Sequence, residues 1–235
     1  MKVHDILSAR PIEEGPNDPH IFKAVFLSGG PGSGKSFVAN KVLSGTGLKT
    51  VNSDEVYEFL ARQNNVDLSN PDEVYSDKGQ EVRAKAKSLT DKRRGGTDGS
   101  TGYIGGRLGL IIDGTGKDVG SVSKLKQQLQ ALGYDTMMLF VNTDLEVAQQ
   151  RNQKRARRLP AEIVSKMWNT VQSNLMKFQQ VFGAANFHVV DNSGGLEDPD
   201  RKENFDQVYR EVRKFLSQAP TGRAAKLWLA NYSKT

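Results

Sequence analysis

The stretch Gly29-Gly30-Pro31-Gly32-Ser33-Gly34-Lys35-Ser36 constrains this chain more than any other. It satisfies the pattern glycine, four residues, glycine-lysine-serine/threonine. It lies between a short apolar run, IFKAVFLS (21–28), and KSFVANKVL (35–43), where Phe37, Val38, Val42 and Leu43 recur at helical spacing. Strand, glycine loop and helix in that order form a phosphate-binding loop. Glycines let backbone N–H groups wrap phosphates, and the helix N-terminus adds a positive dipole. Lys35 reaches the β- and γ-phosphates, and Ser36 offers its hydroxyl to Mg²⁺. All eight residues are expected at the nucleotide, and the ligands expected from them are ATP and Mg²⁺. A second glycine run, Gly114-Thr115-Gly116-Lys117, lacks the four-residue gap and the hydroxyl after its lysine, and reads as a turn.

The rest of the chain alternates strand-like and helix-like segments. LKTVNS (48–53), RLGLIID (107–113), YDTMMLFVN (134–142) and NFHVVD (186–191) read as further strands. Between and after them, 54–63, 122–132, 144–158, 161–182 and 205–218 read as helices. Continuous apolar strands between helices imply a sheet covered on both faces. The expected fold is therefore α/β, a P-loop NTPase three-layer sandwich with a mostly parallel five-stranded sheet and a helical lid at about 144–160. The expected organisation is an irregular arm (1–20), one domain (21–218) and a tail (219–235) whose Leu227, Trp228 and Leu229 are candidates to dock on the body or a partner. Within the domain, about 60–107 is an insertion suited to shaping an acceptor site. It holds a basic helix from Pro71 to Arg94, then GGTDGSTGYIGG (95–106), a glycine-rich loop expected to be mobile unless something docks on it. Tyr103 in that loop is expected to be unengaged, the alternative being a stack on a base.

Composition narrows the chemistry. At 235 residues and 37% hydrophobic, the chain can bury one substantial core. With no cysteine and three scattered histidines, any metal should be a hard cation held by oxygen. There is no apolar run long enough to span a bilayer and no secretory leader, so a soluble cytoplasmic protein with no membrane partner is expected. The net charge of +6 suits an anionic partner. Basic residues crowd two stretches, Lys78 to Arg94 and Arg151 to Arg158.

Phosphoryl transfer needs a group to orient the attacking hydroxyl and positive charge on the transferring oxygens. Asp54 follows the second strand and Asp113 ends LGLIID, which in a parallel sheet puts both at the carboxyl edge, where ligands of such folds bind. Asp54 is either a helix N-cap or a functional carboxylate. Asp113 is a Mg²⁺ contact, a substrate contact or a purely structural carboxylate. Arg151, Arg155 and Arg158 recur at helical spacing with no acid between Gln150 and Pro160, which reads as a lid clamping phosphate oxygens or as a solvated or nucleic-acid-facing surface.

With these residues in view, the chain resembles the kinase domain of bacteriophage polynucleotide 5′-hydroxyl kinases and, more loosely, the zeta-toxin kinases. GGPGSGKS, NSD (52–54), IID (111–113) and RNQKR (151–155) carry the resemblance, in order, over roughly residues 22 to 182. It implies that Asp54 is the general base, that Arg155 is the lid arginine on the donor phosphates, and that Lys35 and Ser36 hold the nucleotide. The acceptor would then be a hydroxyl of DNA or RNA, at the 5′ end or on a hydroxymethylated base, with the host cytoplasm as its setting if the chain is phage-encoded. A nucleotide-sugar kinase of the zeta-toxin kind and an ATP-binding protein without transfer are the alternatives. No phosphatase half follows residue 190, so any end-healing role would be that of a kinase alone.

Overall fold

The computed structural model describes residues 18–155, 158–195 and 198–232. Most of the expected irregular arm lies outside them, as does Arg157 of the basic lid stretch. The elements begin with β1 (Lys23–Ser28) and α1 (Lys35–Val38), which runs on into a π-helical turn at Ala39–Leu43, then β2 (Lys49–Val51) and α2 (Ser53–Gln63). The insertion supplies α3 (Pro71–Tyr75), α4 (Asp77–Arg94) and α5 (Gly102–Gly105). There follow β3 (Leu110–Asp113), α6 (Val119–Ala131), β4 (Asp135–Asn142), α7 (Leu145–Gln153), α8 (Ala161–Ser173) and α9 (Leu175–Phe182). The chain finishes with β5 (Phe187–Asp191), α10 (Pro199–Ser217) and α11 (Arg223–Tyr232).

The sheet order is β2-β3-β1-β4-β5, and every neighbouring pair is parallel. The expected sheet was mostly parallel, and among the described strands it is wholly so. The strands read as unbroken apolar runs because each face feeds a different core. Ala24, Phe26, Met138 and Phe140 pack on one side with Leu129, Phe178 and Phe182. Val25, Leu27, Met137, Leu139 and Val141 pack on the other with Val38, Val42, Val208 and Val212. A third cluster, Val56, Tyr57, Leu60, Ala61, Val66, Val82 and Ala86, glues α2 to α4.

Several expected helices are interrupted, each by a side chain that bonds backbone. The basic helix expected from Pro71 to Arg94 breaks at Ser76, whose extended backbone ends α3 and whose hydroxyl caps Gly79 N–H at 3.1 Å. The helix expected over 161–182 breaks at Asn174, whose buried amide donates to the carbonyls of Gly116 and Lys117, both at 3.0 Å. That clasp also pins the second glycine run as a turn at the end of β3.

The glycine-rich loop is not loose. Its α5 buries Tyr103 and Ile104 in the main core, and Arg93 Nε donates to the Tyr103 hydroxyl at 3.1 Å. Tyr103 is thus neither unengaged nor placed to stack on a base. The last domain helix starts at Pro199 rather than near 205, capped by Asp198. The tail folds as α11 and docks on the body, with Trp228 edge-on to Phe22 at 5.5 Å between ring centres and Leu229 against the same core. Leu227 stays exposed.

Candidate active site

The phosphate loop runs from the carboxyl end of β1 into α1, as its glycines predict. Gly32 and Gly34 adopt φ +75° and +85°, backbone that side chains disfavour. A Cβ on Gly32 would strike the Ala148 carbonyl of α7, and one on Gly34 would strike the Asn192 side chain. Only glycine lets the loop lie this close to its supports. Lys35 Nζ donates to the Gly29 carbonyl at 2.8 Å, so the ammonium lies back over the loop's own first residue. Ser36 is exposed in the first turn of α1.

Asp113 ends β3, whose pairing with β1 sets it opposite Leu27, just before the loop. Its Oδ2 accepts from Asn52 Nδ2 at 2.8 Å, while its Oδ1 is buried with no protein partner. Burial pushes its pKa above the usual carboxylate range, against the pull of Lys35 and aided by Asp54 and Glu55. Lys35 is lowered, chiefly by burial, with Asp113 and Asp54 opposing and Arg155 adding to the effect. One lysine thus feels two carboxylates and one guanidinium, all of them candidates from the sequence.

Asp54 is exposed in the first turn of α2. It is not the N-cap. Asn52 is, accepting the Asp54 N–H at 2.8 Å while its amide reaches Asp113. Asn52 therefore ties the two carboxylate-bearing segments together, and only the adjacency of β2 and β3 reveals it.

The three lid arginines do not share a helical face. α7 stops at Gln153, so Arg155 and Arg158 lie beyond it. The buried Asn152 ties the end of α7 to Leu159, donating to its carbonyl at 2.8 Å and accepting its N–H at 3.1 Å. Arg155 is exposed and stands near enough to Lys35 for its charge to register there. Arg151 Nη1 reaches Thr143 Oγ1 at 3.4 Å, and burial, then Arg201, hold its pKa below the usual arginine value. Arg158 Nε donates to the Arg155 carbonyl at 3.2 Å rather than to the loop.

The second basic stretch lies along the insertion helix α4. Along α4, Arg83 stacks on Tyr57 with its guanidinium carbon 4.8 Å from the ring centre, and its Nε is buried without a protein partner. Lys85, Lys87 and Lys92 are exposed.

The donor set suits a hard divalent ion. The unpartnered Asp113 Oδ1 and the Ser36 hydroxyl are oxygen ligands of the kind Mg²⁺ takes alongside phosphates and water. Among the described residues no group of three or more His, Cys, Asp or Glu could hold a metal by itself. The Ser28 and Ser33 hydroxyls beside the loop are also buried without protein partners. Such orphaned groups call for a ligand or ordered water.

Fold and loop together define a P-loop domain of kinase-like architecture. The chain belongs to the AAA domain family, whose match spans residues 25–178 and so takes in the loop, Asp54, Asp113 and the basic stretch from Arg151 to Arg158. No curated protein matches the sequence. Among solved structures, a chain of the AvrRxo1-ORF1:-ORF2 complex with ATP is 18% identical, with a TM-score of 0.54 over 90% of this chain and 80% of that one. A chain of the PezAT chromosomal toxin–antitoxin system of Streptococcus pneumoniae is 16% identical, with a TM-score of 0.53 over 92% of this chain and 93% of that one. At these identities the likeness is one of fold. No helix among the described residues is long and apolar enough to cross a membrane.

Proposed function

We propose that this protein is an ATP-dependent kinase that moves the γ-phosphoryl group to a hydroxyl of a nucleic acid, a 5′ end or a hydroxymethylated base. The observation that carries the reading is the phosphate loop at the carboxyl end of β1, with Asp113 at the end of the neighbouring β3 and joined through Asn52 to the segment that bears Asp54. Lys35 and the loop N–H groups hold the donor phosphates. Asp54, exposed beside the loop at the start of α2, orients the acceptor hydroxyl and takes its proton. Arg155 faces the charge that builds on the transferring oxygens. Asp113 and Ser36 would hold Mg²⁺, which when bound neutralises phosphate charge. The polynucleotide acceptor rests on the resemblance to phage kinases and on the exposed lysines of α4, which suit a phosphodiester backbone.

A second reading, a kinase of a nucleotide sugar, rests on the looser resemblance to the zeta-toxin kinases. Both are tested by one experiment, in which γ-labelled ATP and Mg²⁺ are offered with 5′-hydroxyl DNA, 5′-hydroxyl RNA, hydroxymethylated duplex and a UDP-sugar. Label on a polynucleotide is expected, and its position names the hydroxyl. Label on the sugar nucleotide alone would transfer the assignment to the second reading. Nucleotide binding without label on any acceptor would mark a binding protein without transfer.

A further inference from the structure

Behind the phosphate loop stands a buried polar pair that the proposed chemistry does not use. Asn192, just past β5, is 2% exposed, and Arg201, in the first turn of α10, is 8% exposed. Arg201 Nη2 and Nε donate to Asn192 Oδ1 at 2.6 and 3.2 Å, and its Nη1 donates to the Gly195 carbonyl at 2.9 Å. Asn192 Nδ2 donates in turn to the Ser33 carbonyl at 2.7 Å. Chemistry fixes the amide's orientation, because a guanidinium only donates and a carbonyl only accepts.

The same guanidinium packs against the rings of Phe37 and Phe205, its carbon 5.2 Å from each centre. Phe37 belongs to α1, the helix the loop opens, so Arg201 braces the loop at two points. The Asn192 backbone is also held. Its N–H donates to the Asn142 carbonyl at 2.9 Å, and its carbonyl accepts from Thr143 Oγ1 at 3.2 Å, the hydroxyl that Arg151 also reaches. Loop, β4 end and lid base therefore meet on one asparagine.

We propose that Asn192 and Arg201 act as one positioning unit for the nucleotide. Arg201 does not reach the ligand. It orients Asn192, whose amide engages the Ser33 carbonyl and so leaves the loop's N–H groups to converge on phosphate oxygens. A ligand thus feels Arg201 through the loop it holds. The inference rests on reading the loop as the nucleotide site, and it does not depend on which acceptor is used.

The test is Mg-ADP affinity by calorimetry, with the thermal midpoint of each ligand-free variant measured alongside. Asn192→Asp keeps the shape and the acceptor for Arg201 but replaces the donor that faces Ser33 with an acceptor. Arg201→Lys keeps the charge but not the fork that reaches Asn192 and Gly195 together. Each change is expected to weaken ADP by about tenfold, the scale of one lost buried hydrogen bond. The double variant is expected to bind no more weakly than the weaker single, because the two residues act in series. Wild-type affinity in Asn192→Asp would overturn the proposal, and so would losses that add fully in the double variant. A thermal midpoint that falls while ADP affinity holds would reduce the pair to a structural brace. A wild-type protein that binds no ADP would overturn the nucleotide reading, and this unit with it, whereas absence of transfer to every acceptor leaves the binding test intact.

Discussion

At the scale of single residues, the mouth of the loop carries opposed ionisation costs, and these make testable pH signatures. Asp113 is raised, so the folded state holds its proton more tightly than the unfolded chain does. Stability from this group therefore falls as pH rises through the range where it ionises. Asp113→Asn should raise the ligand-free thermal midpoint at pH 8, and the gain should shrink as the pH is lowered into the acid range, a trend thermal scans across pH would reveal. Lys35 and Asp54 separate by a different measurement. Lys35→Ala and Asp54→Ala are both expected to abolish transfer, but only the former should weaken ATP binding strongly, because the proposed mechanism gives Asp54 to the acceptor and Lys35 to the nucleotide. Equal losses of ATP affinity would remove Asp54 from the role of base. The positions of Lys35, Asp54 and Asp113 were legible from sequence, since Lys35 closes the glycine loop after β1, Asp54 follows β2 and Asp113 ends β3. Asn52, Asn192 and Arg201 were not, because their roles arise from which strands lie side by side and from a contact across 159 positions between Asn192 and Ser33.

At the scale of elements, apolar periodicity located the strands and helices but not the breaks within them. Ser76, Asn152 and Asn174 each interrupt a pattern that continues in sequence, and each does so where a polar side chain bonds backbone: Ser76 that of Glu73 and Gly79, Asn152 that of Leu159, and Asn174 that of the Gly116–Lys117 turn. Periodicity does not register such competition. The glycine-rich loop misled for a related reason, as its tight turns serve to deliver Tyr103 and Ile104 into the core. The tie between Asn152 and Leu159 offers the sharpest test. Asn152→Ala removes both bonds to Leu159 and should loosen the end of α7, accelerating tryptic cleavage after Lys154 and Arg155 by about tenfold or more. Digestion at unchanged speed, followed by mass spectrometry, would show that other contacts hold this segment.

At the scale of the whole molecule, the parallel sheet separates two functions between its rims. The carboxyl rim gathers the loop, Asp113 and Asp54. The opposite rim is closed by the chain's last helix, where Lys23 and Asp135 pair at 2.8 Å in the interior and Thr221 donates to the same carboxylate. Trp228→Ala should cost roughly 2 kcal/mol, since a partly buried indole leaves the Phe22 contact, and denaturant titration should show it. ADP affinity should be unaffected at temperatures where the variant is folded. The division of labour between rims also has a practical yield. The chain has two tryptophans, and they stand at the two rims. Trp168 bonds the Thr143 carbonyl at 2.7 Å, and its Cα lies 3.8 Å from where a Cβ on Gly30 would sit. Replacing Trp228 by phenylalanine would leave one native fluorophore beside the phosphate loop, so that nucleotide arrival and departure could be timed by intrinsic emission, without a dye or a radiolabel.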